Sequence, residues 1–405
     1  TGEGIGKTGA FTWFVKDSVV GDRISAFVMK SKKNYGYARL NKVLRASKDR
    51  IEPKCSVARA CGGCSLQNMS YERQLELKDN MIINNLIRIG KFSKDFFVND
   101  SDAYDIPGVC IHYPIIGMEE PWRYRNKSIY PVAVKKDTAV YGFYAARTHS
   151  VIEPDDCLIG IEENKPIMEA VMRFIKKYGI AVYDEVNHRG IVRNVLIRKG
   201  FTTGELMVCV VINADKLPHT DKLVDILLKA ADIKSISYNV NTAKGNVILG
   251  EKEVNIYGDK YIYDHIGDIK FRISAKSFFQ VNPVQTRKLY DTVLEFADLS
   301  KEDTVWDLYC GIGSISLYMS KHAGKVYGIE IVKAAVEDAL ENAKLNNIEN
   351  TNFLLGEAEK VLPELYDRAS AKMLNKEFDD KDEISGFVKI EEEYSMGEIK
   401  KVKMI

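Results

Sequence analysis

The sequence has few cysteines, few prolines and no long apolar run. Its 405 residues include 7 cysteines and 10 prolines, while 45% are hydrophobic and 28% are charged. This composition excludes collagen-like, low-complexity and disulfide-scaffold chains. Because no stretch of about 18 apolar residues and no signal-peptide pattern is present, we expect no membrane span and a cytoplasmic protein.

Positive charge is concentrated at the N-terminus, although the net charge is only +1. Residues 1–50 carry 11 Lys or Arg against 4 acidic residues. A strip within this segment alternates basic and aromatic side chains that could neutralise phosphates and stack on unpaired bases: Lys30, Lys32, Lys33, Tyr35 and Tyr37. A solvated charged surface is the alternative interpretation.

The hydrophobic pattern predicts a multidomain α/β protein with four regions. Residues 1–50 read as short strands of a small β-barrel, and residues 51–270 as an α+β middle domain with a helix over Ser70–Ile89. Residues 271–368 contain a βαβ pattern, and residues 369–405 form a charged tail. The predicted βαβ elements are the strands Thr304–Tyr309, Lys325–Ile331 and Asn352–Leu355 and the helices Ser314–His322 and Lys333–Asn346.

Three cysteines lie close together around a Gly-Gly pair. Cys55, Cys61 and Cys64 have the spacing C-x5-C-x2-C, and Cys157 is the best candidate for a fourth ligand. Spacing alone leaves zinc and an iron-sulfur cluster open, and buried reduced thiols are a further alternative. An odd cysteine count without a secretory signal favours reduced thiols or metal ligands over disulfides.

A strand, a glycine turn and a helix follow one another over Asp307–Ser314. Glycines here let a cofactor approach the backbone at the carboxyl end of the strand, and Glu330 ends the next strand, where it can accept hydrogen bonds from ribose hydroxyls. The full G-x-G-x-x-G is absent because position 316 is Ser. S-adenosylmethionine therefore fits better than a dinucleotide, with an ordinary βα turn as the alternative.

Two further clusters precede this turn. In Ser277–Pro283, Gln280 could hold a carboxylate or an amine, and Phe278 could stack on a flipped base. In Trp122–Lys127, Arg125 and Lys127 could clamp RNA phosphates. Core strand ends and a sheet edge are the alternatives.

Taken together, these motifs resemble the RNA uracil-5-methyltransferases, most closely the bacterial 23S ribosomal RNA enzymes. The resemblance covers residues 1 to about 366. It is carried by Gly6-Lys7 with Gly21-Asp22, Asn34-Tyr35-Gly36-Tyr37-Ala38-Arg39, the three cysteines followed by Ser65-Leu66-Gln67, Tyr124-Arg125-Asn126-Lys127, Phe279-Gln280-Val281-Asn282-Pro283 and Asp307-Leu308-Tyr309-Cys310-Gly311.

The resemblance implies a monomer with a TRAM-type barrel that grips RNA, an iron-sulfur middle domain and a Rossmann-like methyltransferase domain, with no DNA partner. By the same implication, a structural 4Fe-4S cluster binds Cys55, Cys61, Cys64 and Cys157. Gln280, Tyr309 and Glu330 contact S-adenosylmethionine, and Phe278 lies against RNA bases.

The family reaction needs a cysteine thiolate that adds to C6 of uracil and a base that removes the C5 proton. The family's D-P-P-R, S-C-[ND]-P and H-V-E segments are absent from this sequence, and Cys310 is its last cysteine. We therefore assign no catalytic residue and expect an incomplete methyltransferase domain with doubtful activity; the alternative is a non-catalytic iron-sulfur RNA-binding protein. We also expect a three-stranded sheet whose first strand has an unpaired edge, with Val388–Ile390 and Ile399–Met404 as candidates to cover it.

Overall fold

The computed structural model describes residues 2–99, 107–373 and 402–404. The chain forms two compact units. The N-terminal unit contains Thr1–Arg123 and Tyr130–Lys165, and the C-terminal unit contains Tyr124–Ile129 and Pro166–Ile405. Within the described ranges, no helix is both long and apolar enough to cross a membrane.

The N-terminal unit begins with a four-stranded sheet. Its strands are β1 (Gly4–Thr8), β2 (Phe11–Lys16), β3 (Arg23–Ser31) and β4 (Tyr35–Arg45). The order is β1-β2-β4-β3, so β1 and β3 are edge strands. Within the described residues the sheet stays open, and the predicted β-barrel is not confirmed. A closed barrel needs its two outer strands to pair with each other.

The rest of this unit has one long helix and short strands. The predicted helix is confirmed as α1 (Tyr71–Arg88), where the Ser70 side chain accepts a hydrogen bond from the Arg73 amide at the N-terminus. A short 3₁₀ turn (Lys94–Phe96) also occurs. The strands are β5 (Phe97–Val98), β6 (Cys110–Ile111), β7 (Lys127–Lys135), β8 (Thr138–Tyr141), β9 (Phe143–Tyr144) and β10 (Val151–Ile152). The first three residues of β7 belong to the C-terminal unit.

The first part of the C-terminal unit is a sheet with the order β14-β13-β12-β11-β7. Strand β12 is buried along its whole length, as expected for its continuous apolar run. The elements are α2 (Asn164–Tyr178), β11 (Val192–Lys199), β12 (Leu206–Ile212), α3 (Thr220–Leu228), β13 (Ile233–Val240) and β14 (Lys252–Gly258).

The second part contains a parallel sheet with the order β19-β18-β17-β20. Buried residues of β11, such as Leu196, share one core with Phe271 and Leu317 of this part. The elements are β15 (Ile262–Ile266), β16 (Ile269–Ile273), α4 (Pro283–Ala297), β17 (Thr304–Leu308), α5 (Ser314–Ser320), β18 (Lys325–Glu330), α6 (Lys333–Leu345), β19 (Thr351–Leu355), α7 (Ala358–Met373) and β20 (Val402–Met404).

The expected three-stranded sheet has a fourth strand, and this strand lies within Ile399–Met404, one of the two segments expected to cover the free edge. Val402–Met404 pairs in parallel with Thr304–Trp306 and thereby covers the edge of β17. The backbone groups of an exposed strand edge favour such pairing. The other candidate, Val388–Ile390, lies outside the described residues, as does most of the predicted charged tail.

Candidate cofactor and RNA site

The turn after β17 has an unusual backbone. Tyr309, Gly311 and Gly313 all have positive φ, at 66°, 57° and 74°. A Cβ on Gly313 would lie 2.7 Å from Cζ of Phe353, so only glycine fits there, whereas nothing lies within 4 Å of a Cβ on Gly311. The turn therefore packs tightly on one side and faces open space on the other.

Glu330, at the end of β18, holds this turn in place. Its Oε2 accepts a hydrogen bond from the Gly311 amide at 3.0 Å, and its Oε1 accepts one from the Val332 amide at 2.8 Å. Each carboxylate oxygen keeps a second lone pair for a further donor. The predicted Tyr309 lies at the same edge of the sheet, 64% exposed, and its hydroxyl donates to Oε1 of Glu359 at 2.6 Å.

Two ionisable groups of this strand and turn are buried, the carboxyl of Asp307 and the thiol of Cys310. Burial raises the pKa of the Asp307 carboxyl to about 6, although the Ser316 hydroxyl donates a hydrogen bond to it at 2.5 Å. Burial, together with the nearby Asp307 and Glu330, raises the pKa of the Cys310 thiol far above its usual range. Cys310 is only 6% exposed. A thiol in this environment stays protonated and does not act as a nucleophile.

The loop before α4 carries two other predicted residues. Phe278 is 66% exposed, and Gln280 is half-buried. Asn126 fixes this loop, because its side chain donates to the Gln280 carbonyl and its amide donates to the Val281 carbonyl, both at 2.9 Å. Tyr290 of α4 in turn shares a 2.7 Å hydrogen bond with Ser314, the first residue of α5. The loop and the glycine turn are thus connected through two helices.

The predicted RNA-binding residues Arg125 and Lys127 flank Asn126 and are half-buried. Burial, with Arg198 and Arg125 nearby, lowers the pKa of Lys127 to about 8. Arg198 was missed by the sequence reasoning. The available signal was a charged residue directly after the apolar run Val195–Ile197 and still inside the buried part of the strand, where a cation is rare.

The four candidate ligand cysteines are all in the N-terminal unit, and every cysteine of the chain is free. Burial raises the pKa of the Cys61 thiol, with smaller contributions from Cys64 and Cys55. Burial also raises the pKa of Cys157, and Cys64 and Cys61 add to the effect. Cys157 therefore lies close enough to Cys61 and Cys64, about a hundred positions earlier in the chain, for their charges to affect its pKa.

These thiols do not meet at one point. Among the residues that the structure describes, no group of three or more His, Cys, Asp or Glu side chains is arranged to hold a metal ion. In a 4Fe-4S cluster each thiolate binds a different iron, so its sulfur ligands lie farther apart than those around one ion.

The basic and aromatic strip lies on β3, β4 and the turn between them. Lys30, Lys32 and Lys33 are exposed, and Tyr35 is exposed beside Tyr37, with ring centroids 5.9 Å apart. Exposed lysines next to exposed rings are a common feature of single-stranded nucleic acid surfaces.

Comparison with known proteins identifies the family. An uncharacterized RNA methyltransferase of Halalkalibacterium halodurans is 45% identical over 366 residues, which cover 90% of this chain and 77% of that protein. A family model described as tRNA (Uracil-5-)-methyltransferase matches residues 225–377. The chain belongs to the RNA uracil-5-methyltransferase family. A second uncharacterized RNA methyltransferase, from Clostridium acetobutylicum, is 43% identical over 371 residues, 91% of this chain and 78% of that protein.

One solved structure has the same fold as the chain described here. It is the Pyrococcus abyssi tRNA (uracil-54, C5)-methyltransferase in complex with S-adenosyl-L-homocysteine. The similarity covers 88% of this chain and 78% of that one, with a TM-score of 0.66 and 24% identity. This similarity shows the fold, whereas the relatives and the family model confirm the predicted RNA uracil-5-methyltransferase family.

Proposed function

We propose that this chain binds S-adenosylmethionine at the turn between β17 and α5 and directs its methyl group to C5 of uridine in RNA, with 23S ribosomal RNA as the first substrate to test. One observation carries this proposal. The Glu330 carboxylate holds the Gly311 amide beside open space at the carboxyl ends of parallel strands. Sheets of this type bind nucleotide-like ligands at that edge.

The proposed site residues have distinct roles. Glu330 accepts hydrogen bonds from the ribose hydroxyls, and the exposed Tyr309 and the half-buried Gln280 contact the remainder of the cofactor. Phe278 offers an exposed ring to an unstacked base, since RNA is read mainly through single-stranded, splayed nucleotides. Arg125 and Lys127 neutralise backbone phosphates.

The chemistry sets a further requirement. C5 of uracil is a poor nucleophile until a thiolate adds to C6, which gives C5 enolate character; C5 then attacks the sulfonium methyl, and loss of the C5 proton expels the thiol. Cys310 is buried and protonated, so it does not supply this thiolate. We therefore expect the residues of this chain to bind both substrates with little turnover.

We propose that Cys55, Cys61, Cys64 and Cys157 hold a structural 4Fe-4S cluster. The donor set fits, because four free, partly buried thiols interact electrostatically without converging on one ion. When bound, the cluster would supply cross-links between distant chain segments. The chain's own contribution at this site includes the Arg123 guanidinium, which pairs with Asp156 and donates to the Cys157 carbonyl at 3.1 Å.

Methyl transfer and binding should be measured separately. RNA transcripts of 23S rRNA segments and of tRNA, labelled with tritium at uridine C5, are incubated with S-adenosylmethionine, and methylation at C5 must release that tritium. Tritium release would support uridine methylation, and methyl incorporation without release would refute C5 as the target. Tight RNA binding with neither signal would favour a non-catalytic iron-sulfur RNA-binding protein.

The cofactor assignment has a matched pair of variants. Glu330→Gln places an amide against two backbone N-H groups and should weaken binding of S-adenosylhomocysteine at least about tenfold, the loss expected for one charge-assisted hydrogen bond. Glu337→Gln, on the exposed face of α6, is the control and should bind normally. Equal affinities in isothermal titration calorimetry would contradict the assignment.

A further inference from the structure

A buried arginine contacts the loop before α4, and among the described residues it forms no ion pair with an acidic side chain. Arg198, on β11, is 2% exposed, and its Nη2 donates to the Ser277 carbonyl at 2.9 Å. Its Nε and Nη1 have no hydrogen-bond partner among the residues that the structure describes. Burial lowers its pKa to about 10, which leaves the guanidinium charged at neutral pH. A charge buried without a counterion is costly, so proteins normally pair such groups.

Arg198 belongs to a cluster of three cations. Lys127 and Arg125 act electrostatically on one another, and Arg198 also acts on Lys127. In the described part of the chain, no carboxylate is among the groups that shift the pKa of Lys127 or Arg198. Positive charges gathered without acids repel one another, and this repulsion is relieved when an anion joins them.

The position of the cluster indicates which anion it takes. Ser277, whose carbonyl accepts from Arg198, immediately precedes the exposed Phe278. Asn126, next to Lys127 in the chain, donates to the Gln280 carbonyl of the same loop. The cations therefore lie beside the exposed ring of Phe278, which can stack on a base. In RNA each base is joined through its ribose to a backbone phosphate, so a phosphate would lie close to the stacked base.

We propose that Lys127, Arg125 and Arg198 form a binding site for a single oxyanion, the RNA phosphate next to the nucleotide at Phe278. The half-buried Lys127 and Arg125 touch the phosphate, and Arg198 acts behind them as a fixed charge that water screens poorly. Arg198 is thus a positioning residue. This inference rests on the proposed RNA-modifying function. The carboxylate of S-adenosylmethionine is the other source of the same chemistry.

The test measures affinity for a labelled single-stranded RNA oligonucleotide by fluorescence anisotropy at several salt concentrations. The variants are Arg198→Met, Lys127→Met and the double variant. Each single variant should weaken binding about tenfold at low salt and reduce the slope of log affinity against log salt by about 0.7, the value for one phosphate on a single strand. Because both residues serve one phosphate, the double variant should lose little more than either single variant.

Arg193→Met is the matched control, since Arg193 lies on the same strand and makes its contacts to the Asn241 and Ala243 carbonyls instead. Equal affinity and slope for Arg198→Met and Arg193→Met would overturn the proposal. If Arg198→Met does not fold, the test relies on Lys127→Met, because Lys127 is only half-buried and its substitution disturbs the fold less. Wild-type affinity and salt slope for Lys127→Met would then overturn the proposal.

The alternative source has its own measurement. Weaker binding of S-adenosylhomocysteine, with unchanged RNA binding, would overturn the phosphate assignment and identify the cofactor carboxylate as the ligand. Failure of the proposed function gives a different result, because the unsubstituted protein would then bind neither RNA nor S-adenosylhomocysteine.

Discussion

Gly311 and Gly313, in the turn between β17 and α5, should differ in how much stability they lose when each is replaced by alanine. Gly311 and Gly313 both have positive φ, so alanine at either position costs about 1–2 kcal/mol in backbone conformation. At Gly313 the added Cβ would also lie 2.7 Å from Cζ of Phe353 and 3.1 Å from Cβ of Ala339. Overpacking of this kind adds about 1–3 kcal/mol. Gly313→Ala should therefore lose roughly 2–5 kcal/mol of unfolding free energy, and Gly311→Ala about 1–2 kcal/mol.

The order reverses for cofactor binding. The Cβ on Gly311 would project into space where no protein atom lies within 4 Å, which is where the cofactor is proposed to sit. Gly311→Ala should therefore bind S-adenosylhomocysteine much more weakly than Gly313→Ala does. Urea unfolding, followed by the fluorescence of Trp306 on β17, measures stability, and calorimetry measures binding. Wild-type binding by Gly311→Ala would refute the cofactor position, and equal stabilities would refute the packing argument.

The other predictions are these. Asp307→Asn should stabilise the protein by about 1–3 kcal/mol at pH 7.5 and have no effect below about pH 4, because the cost of ionising this buried carboxyl appears as pH rises from its unfolded pKa to about 6; urea unfolding at both pH values checks it. RNA affinity should fall as pH rises through about 8, where Lys127 loses its proton, and Lys127→Met should abolish this dependence in anisotropy titrations. Cys157→Ser should lose about four iron and four sulfide ions per chain after anaerobic purification; Cys209→Ser, at a buried cysteine of the C-terminal unit, is the control, and zinc in place of iron would contradict the cluster. Cys310→Ala should leave any methyl transfer unchanged, and loss of transfer would show that this thiol is the nucleophile.

The sequence predicted local elements well where the apolar period was strong. The strands and helices between Thr304 and Leu355 lie within one or two residues of their predicted bounds, because amphipathic period and glycine punctuation are properties of neighbouring residues. Closure of the first sheet was a different kind of prediction. It depended on an additional pairing between β1 and β3, which no local pattern encodes.

The same distinction applies to the site. The sequence could place Tyr309 and Glu330 at the same edge of the sheet, where the cofactor is proposed to bind, because a βαβ unit brings the carboxyl ends of consecutive strands together. Arg198 could not be associated with Lys127, because the register of β11 against β7 brings them together across some seventy positions of intervening chain. The sequence named Ile399–Met404 as one of two candidates for the edge of β17, and only the folded sheet showed that Val402–Met404 pairs there and in which register.

The amino-acid order alone therefore determined the family, the parallel-sheet element that holds the proposed cofactor site and the set of cysteines that can act as ligands. These three features depend on the spacing of residues along the chain, which can be read before any fold is known. Only the tertiary structure decided that the first sheet stays open, that Cys310 is buried, and that Arg125, Lys127 and Arg198 lie together with no carboxylate, among the described residues, that shifts the pKa of Lys127 or Arg198. Burial and long-range pairing create those properties, since desolvation and charge-charge energies depend on distances in space and not on positions in the sequence.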